Sequence, residues 1–208
     1  NYFSADRQDR AKTIWIDSLS NILYLANYYS SRPITVFDIS DPTAVSNLNY
    51  SLWSNPCTDV VGIYRNESAY LFTADRNEGL ISYNISNPRS YIELIEVCRV
   101  NGFSMGVAAW DTLVFVAASD YGVVIYNSAD PERLTEISRF ENQGSAQKIA
   151  IFGEHNLAYI ADGICGLAVM DFSDPSNPTL VYRADPQVGS ASGVFINGDR
   201  LFVANGST

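Results

Sequence analysis

Short apolar runs alternate with turn-forming clusters along the whole chain. In the stretch 146–183 four runs follow one another, at 146–152, 158–161, 167–171 and 179–183. They are rich in Val, Ile, Leu, Tyr and Phe, the residues that suit a pleated, half-buried surface. No segment offers a helical period with caps. The first two runs are separated by "GEHN", a tight turn, and the next two by "DGICG". The third ends in "SDPSNP". Asp and Ser bond nearby backbone N–H groups and stop a strand, while Pro lacks a ladder donor and pre-sets a turn. The pattern predicts four short antiparallel strands.

The same unit recurs. Pro42, Pro88, Pro131 and Pro175 follow apolar strands at spacings of 46, 43 and 44 residues. Ala26, Ala74, Ala117, Ala161 and Ala204 sit in "YLAN", "FTAD", "FVAA", "YIAD" and "FVAN", at spacings of 48, 43, 44 and 43. Gly79-Leu80, Gly122-Val123 and Gly166-Leu167 precede the next apolar run in three units. Four antiparallel strands repeated every ~44 residues predict the blades of an all-β propeller. The inner strands are expected to be almost wholly apolar. The outer ones, such as "YIELIEVCRV", should alternate with charge at a solvated rim.

Alanine-aspartate, Gly-Leu and an apolar strand ending in Asp-x-Ser-Asp-Pro resemble the LVIVD-repeat propellers. "YIADGICGLAVMDFSDPSNP" at 159–178 carries the resemblance most fully, and "FTADRNEGLISYNISNP" at 72–88 carries it well. The copies at 115–131 and 24–42 are degraded. The resemblance spans essentially the whole chain and implies the propeller fold. It also implies a place in large extracellular or cell-surface proteins, and it brings no catalytic residue with it.

Blades are expected at about 11–53, 58–100, 103–140 and 145–185, with a partial blade at 190–208. Residues 1–5 align with the outer strand of a blade. Two arrangements follow: a fragment of a longer ring, which is preferred, or a five-bladed ring closed by 1–5. An unpaired strand edge invites association, so either arrangement calls for cover at some edge.

Charge narrows the function classes. The 23 acidic and 13 basic residues leave a net charge of −10, with Lys12 and Lys148 the only lysines. Nucleic-acid backbones and polybasic membrane contacts both need a positive surface, so neither is expected. No apolar run reaches the ~20 residues of a membrane helix, so no membrane insertion is expected in this segment.

Candidate chemistry is sparse. The single histidine, His155, falls in a predicted exposed turn without a nucleophile or orienting partner. Asp75 and Asp162, with Asn27 and Asn205 at matching positions, end second strands and should recur on one face. They are the weak metal candidates, with strand capping as the simpler role. The strand-ending aspartates themselves supply too few carboxylates per copy for a calcium cage. Asn49, Asn66, Asn84 and Asn205 are glycosylation sequons, with Asn66 foremost because "RNES" reads as a surface turn. Cys57, Cys98 and Cys165 should lie towards one face, and Cys57–Cys98 is the one candidate disulfide, against a spacing of about 14 Å between inner and outer strands. No cofactor is indicated. The expectation is a non-enzymatic extracellular or cell-surface structural module with a protein partner or self-association, and with glycans. The alternative is a propeller enzyme, or a carbohydrate- or small-ligand-binding domain, using the central pocket.

Overall fold

A computed structural model describes residues 10–28, 33–48, 50, 52, 56–184 and 189–206. The expectations for residues 1–5 and Asn49 lie outside these. Four blades are antiparallel four-stranded sheets. The first holds β1 (Ala11–Asp17), β2 (Ile22–Asn27), β3 (Ile34–Asp38) and the two-residue β4 (Ser46–Asn47). The second holds β5 (Cys57–Arg65), β6 (Ser68–Asp75), β7 (Gly79–Asn87) and β8 (Tyr91–Cys98). β9 (Gly106–Trp110), β10 (Leu113–Ala117), β11 (Val123–Asn127) and β12 (Thr135–Phe140) form the third. β13 (Lys148–Phe152), β14 (Leu157–Ala161), β15 (Leu167–Asp171) and β16 (Thr179–Arg183) form the fourth. β17 (Ser190–Asn197) and β18 (Arg200–Gly206) make a two-stranded sheet.

Inner strands β1, β5, β9, β13 and β17 pack side by side in that order. Between blades lie the apolar cores. Tyr24, Leu71, Ile81 and Tyr83 fill the space between blades one and two. Phe72, Val114, Val116 and Val124 fill the next, and Phe115, Ile125, Ile160 and Met170 the one after. Each such side chain, fully buried, contributes about 1.5–3 kcal/mol. Trp15 lies flat over Gly62, and Trp110 over Gly153; at both glycines a Cβ would collide with the indole.

The repeated strand terminator works as turn chemistry. Asp38, Asn84, Asn127 and Asp171 each accept the N–H of the residue two further on, at 2.7–3.0 Å. Next come the Pro turns, closed by Ala44, Ser90, Arg133 and Asn177 N–H groups on the carbonyls of Asp41, Asn87, Asp130 and Asp174. The same local bonds in every blade explain the period.

One expectation needs correction. The most fully buried strands are the middle ones, such as β6, β10 and β11, each buried at all but one terminal residue, rather than the inner ones. Middle strands have paired neighbours on both edges and blades on both faces. Inner strands border the central channel, so β1 and β17 leave part of their length exposed.

Candidate functional site

Three of the inner strands, β1, β5 and β17, begin with the same irregularity. On β1 two residues oppose Ala26, so that Lys12 is bulged between Ala11 and Thr13. Thr58 is bulged on β5, and Ser192 on β17. In the third and fourth blades Met105 and Gln147 donate their N–H groups to Ala117 and Ala161 at 2.8 Å, beside the pairs Gly106–Ala117 and Lys148–Ala161. A bulge re-aims a side chain. All five residues, Lys12, Thr58, Met105, Gln147 and Ser192, line one central cavity of about 590 Å³. Sequence reasoning missed this ring. Its signal is one position per repeat, just ahead of each inner strand, occupied by five different residue types.

The ring is wired to the blades. Thr58 Oγ1 donates towards the carbonyls of Ala74 and Ser104 at 2.8 and 2.7 Å. Ser192 Oγ donates to Ala204 O at 3.3 Å. Gln147 Nε2 donates to Ser145 Oγ at 2.8 Å. Lys148 Nζ pairs with Asp59 Oδ1 at 2.5 Å, and Asp59 Oδ2 accepts the Val107 N–H at 2.9 Å. Asp59 is buried, whereas Lys148 reaches the cavity. Lys12 Nζ stands 5.2 Å from the Tyr28 ring centre. Both lysines of the chain therefore border the channel.

The cavity continues into a seam. Thr13 on β1 forms one wall, while Phe195 and Phe202, opposed across β17 and β18, form the other. Ala191 and Val194 pack back on blade four, so the phenylalanines face away from it, 64 % and 53 % exposed. On β1, Trp15 packs towards blade two, which leaves Ile14 and Ile16 on the opposite, exposed face. Among the described residues β18 pairs only with β17.

The candidates read from the sequence stand as follows. Asp75 Oδ1 accepts the N–H groups of Asn77 and Glu78 at 2.9 Å, which is strand-end capping. Asp162 accepts from Asn142 and Gly144 and pairs with Arg183 Nη1 at 2.5 Å. Asn27 donates to Thr35 Oγ1 at 3.0 Å. These residues end successive second strands but do not converge. Among the described residues no group of three or more His, Cys, Asp or Glu side chains is placed to hold a metal ion. His155 is exposed in a short 3₁₀ turn, stacked on Phe152 with ring centres 4.4 Å apart.

Cys57 begins β5 and Cys98 ends β8, on opposite edges of one sheet with β6 and β7 between them. All three thiols are free, and the separation keeps the candidate pair apart. Asn66 is exposed in the β5–β6 turn with φ 49°. Asn84 is half-buried in β7, its Oδ1 taken by the N–H and hydroxyl of Ser86. Asn205 is exposed on β18.

Residues 67–99 and 143–185 match the LVIVD repeat. Among solved structures the chain is similar to a functionally unknown protein from Desulfotomaculum acetoxidans, with a TM-score of 0.72 and 14 % identity over 94 % of this chain and 62 % of that one. It is also similar to the computationally designed Ika8 protein, with a TM-score of 0.69 and 11 % identity over 93 % of this chain and 55 % of that one. At these identities the likeness is one of fold. The chain spans less than two thirds of either. No curated protein matches it.

Proposed function

We propose that this chain, an LVIVD-repeat propeller, is a non-enzymatic structural and interaction module of an extracellular or cell-surface assembly. The seam carries the reading. Among the described residues two apolar faces, Ile14 with Ile16 and Phe195 with Phe202, are exposed, and β18 is paired on one edge only. Blade packing between blades two, three and four buries the corresponding apolar cores. An open edge next to an apolar face is the surface on which added strands dock. The occupant is a further blade-like sheet of polypeptide, adding strands to β18 and laying an apolar face on the phenylalanines. Leu180, Val181 and Tyr182 on the outer strand β16 are exposed as well. The acidic surface, poor in lysine, and the exposed sequon at Asn66 fit the extracellular setting.

The test is the melting of the native protein carrying Phe195→Ser and Phe202→Ser. If a sheet covers these rings, the pair of substitutions removes buried aromatic surface and destabilises by several kcal/mol, since one such truncation costs about 3–5 kcal/mol. If the seam faces water, the change falls within about ±0.5 kcal/mol. A fall in Tm of about 10 °C or more supports the reading, and an unchanged or raised Tm overturns it. A doubled solution mass names a second copy as the occupant, a mass raised by another amount names a different chain, and an unchanged mass names a segment of the same chain.

A further inference from the structure

The geometry points to the bulge ring as a binding site for a small hydroxylated carboxylate, the chemistry of a sugar acid. This goes beyond the structural reading. The ring shares its cavity with the seam, since Lys12 on β1 and Ser192 on β17 stand on strands that wall it, and the ligand titration below is read separately from the melting of the phenylalanine variants.

The donor and acceptor inventory selects the ligand. Thr58 spends its one hydroxyl proton on backbone carbonyls, and Ser192 spends its own on Ala204. Gln147 turns its amide nitrogen to Ser145. Thr58 and Ser192 have only acceptor lone pairs left for a ligand, while Gln147 keeps its carbonyl oxygen and one amide N–H. Acceptors in a row suit a molecule rich in hydroxyl donors. Lys12 is the exception, a pure donor with a full charge. Among the described residues Lys12 has no carboxylate within ion-pair distance, whereas Lys148 is matched by Asp59. The ring thus offers one uncompensated cation among acceptors, and the complement is one carboxylate among hydroxyls. Met105 supplies the apolar contact for the face of a sugar ring.

Size and field agree. A cavity of about 590 Å³ falls in the ordinary range for small-molecule sites. The chain's net charge of −10 repels anions at long range, but that field is screened within about 8 Å at physiological salt. Inside the channel Lys12 dominates, and it sits where bulges on β1, β5 and β17 place the polar side chains of Lys12, Thr58 and Ser192.

Calorimetric titration of the native protein with glucuronate tests this, with glucose and benzoate as controls lacking the acid and the hydroxyls in turn. Glucuronate should bind at least tenfold more tightly than either, and Lys12→Met should lose at least tenfold while leaving Tm unchanged. Lys12 is exposed and carries no ion pair among the described residues, so this variant is expected to fold. Equal affinity for glucose, an unaffected Lys12→Met variant, or no heat with glucuronate overturns the proposal. A linear triuronate added as a further arm distinguishes the sources. Tighter binding than the monomer identifies a polysaccharide terminus, and equal or weaker binding identifies the free acid.

Discussion

Lys148 of the fourth blade pairs with Asp59 of the second, Nζ to Oδ1 2.5 Å, past the inner strand of the third. Asp59 also accepts the Val107 N–H of that intervening strand, so one buried carboxylate ties three blades together. Removing Lys148 leaves the charge of Asp59 without its counter-ion. A wholly buried pair broken in this way costs 3–5 kcal/mol. Because the Lys148 side chain is 32 % exposed, Lys148→Met is expected to cost about 2 kcal/mol. The double variant Asp59→Asn with Lys148→Met should recover part of that loss. A denaturant double-mutant cycle checks it; strictly additive losses would show that the pair is uncoupled.

Trp110 covers Gly153 as Trp15 covers Gly62, one blade's inner strand seated on the next. Gly153→Ala drives a methyl group into the indole, and Gly62→Ala does the same one pair of blades away. Overpacking of this kind costs about 1–3 kcal/mol, which lowers the melting temperature by roughly 2–12 °C in a domain of this size. A Gly153→Ala protein that melts with the parent shows that the ring yields without cost.

Much of this fold was legible because the period sits in local chemistry. The turn bonds of Asp38, Asn84, Asn127 and Asp171 need only residues two apart in sequence, so the sequence shows them directly. The bulge ring was not legible. Lys12, Thr58, Met105, Gln147 and Ser192 share a position but no chemistry, and what unites them is a place beside the repeated alanine, reached by a bulge at Lys12, Thr58 and Ser192 and by a backbone hydrogen bond at Met105 and Gln147. Strand-end residues such as Asp75 and Asp162 looked like a recurring polar set. Their partners decide otherwise: backbone amides for one, Arg183 and Asn142 for the other. Which partner a polar side chain finds depends on neighbouring blades, and no short stretch of sequence contains that.

Burial pushes the Cys98 thiol up to about 12, with the Glu96 carboxylate adding to the effect. Thiolate is the reactive form, so alkylation of native Cys98 at pH 8 should run about a hundredfold or more slower than in the unfolded chain. The folded state holds this proton more tightly than the unfolded state, where the ordinary value is 9.0. The linked stability is therefore complete below pH 9 and is lost as pH rises from about 9 to about 12. Comparison with Cys98→Ala isolates this contribution from that of the buried tyrosines. Equal slopes of stability against pH for the two proteins in that window would contradict it.

Glycan occupancy separates the described sequons and bears on the seam. Asn66 projects from an exposed hairpin turn, open to a glycosyltransferase. Asn84 is half-buried within a blade, and both its carbonyl and the Ser86 hydroxyl of its sequon are engaged in one turn. Asn205 is exposed, but it lies on β18, where an added sheet must pair and pack. A branched sugar there would hold that sheet away. If the chain passes through a secretory pathway and the seam is filled, Asn66 carries sugar while Asn84 and Asn205 do not. Peptide mapping of the native protein before and after glycosidase treatment reads each site. Sugar on Asn205 would mean that this edge faces solvent, and the structural reading would lose its main support. A bare Asn66 in protein from a glycosylating source would remove the extracellular setting instead and leave the seam untouched.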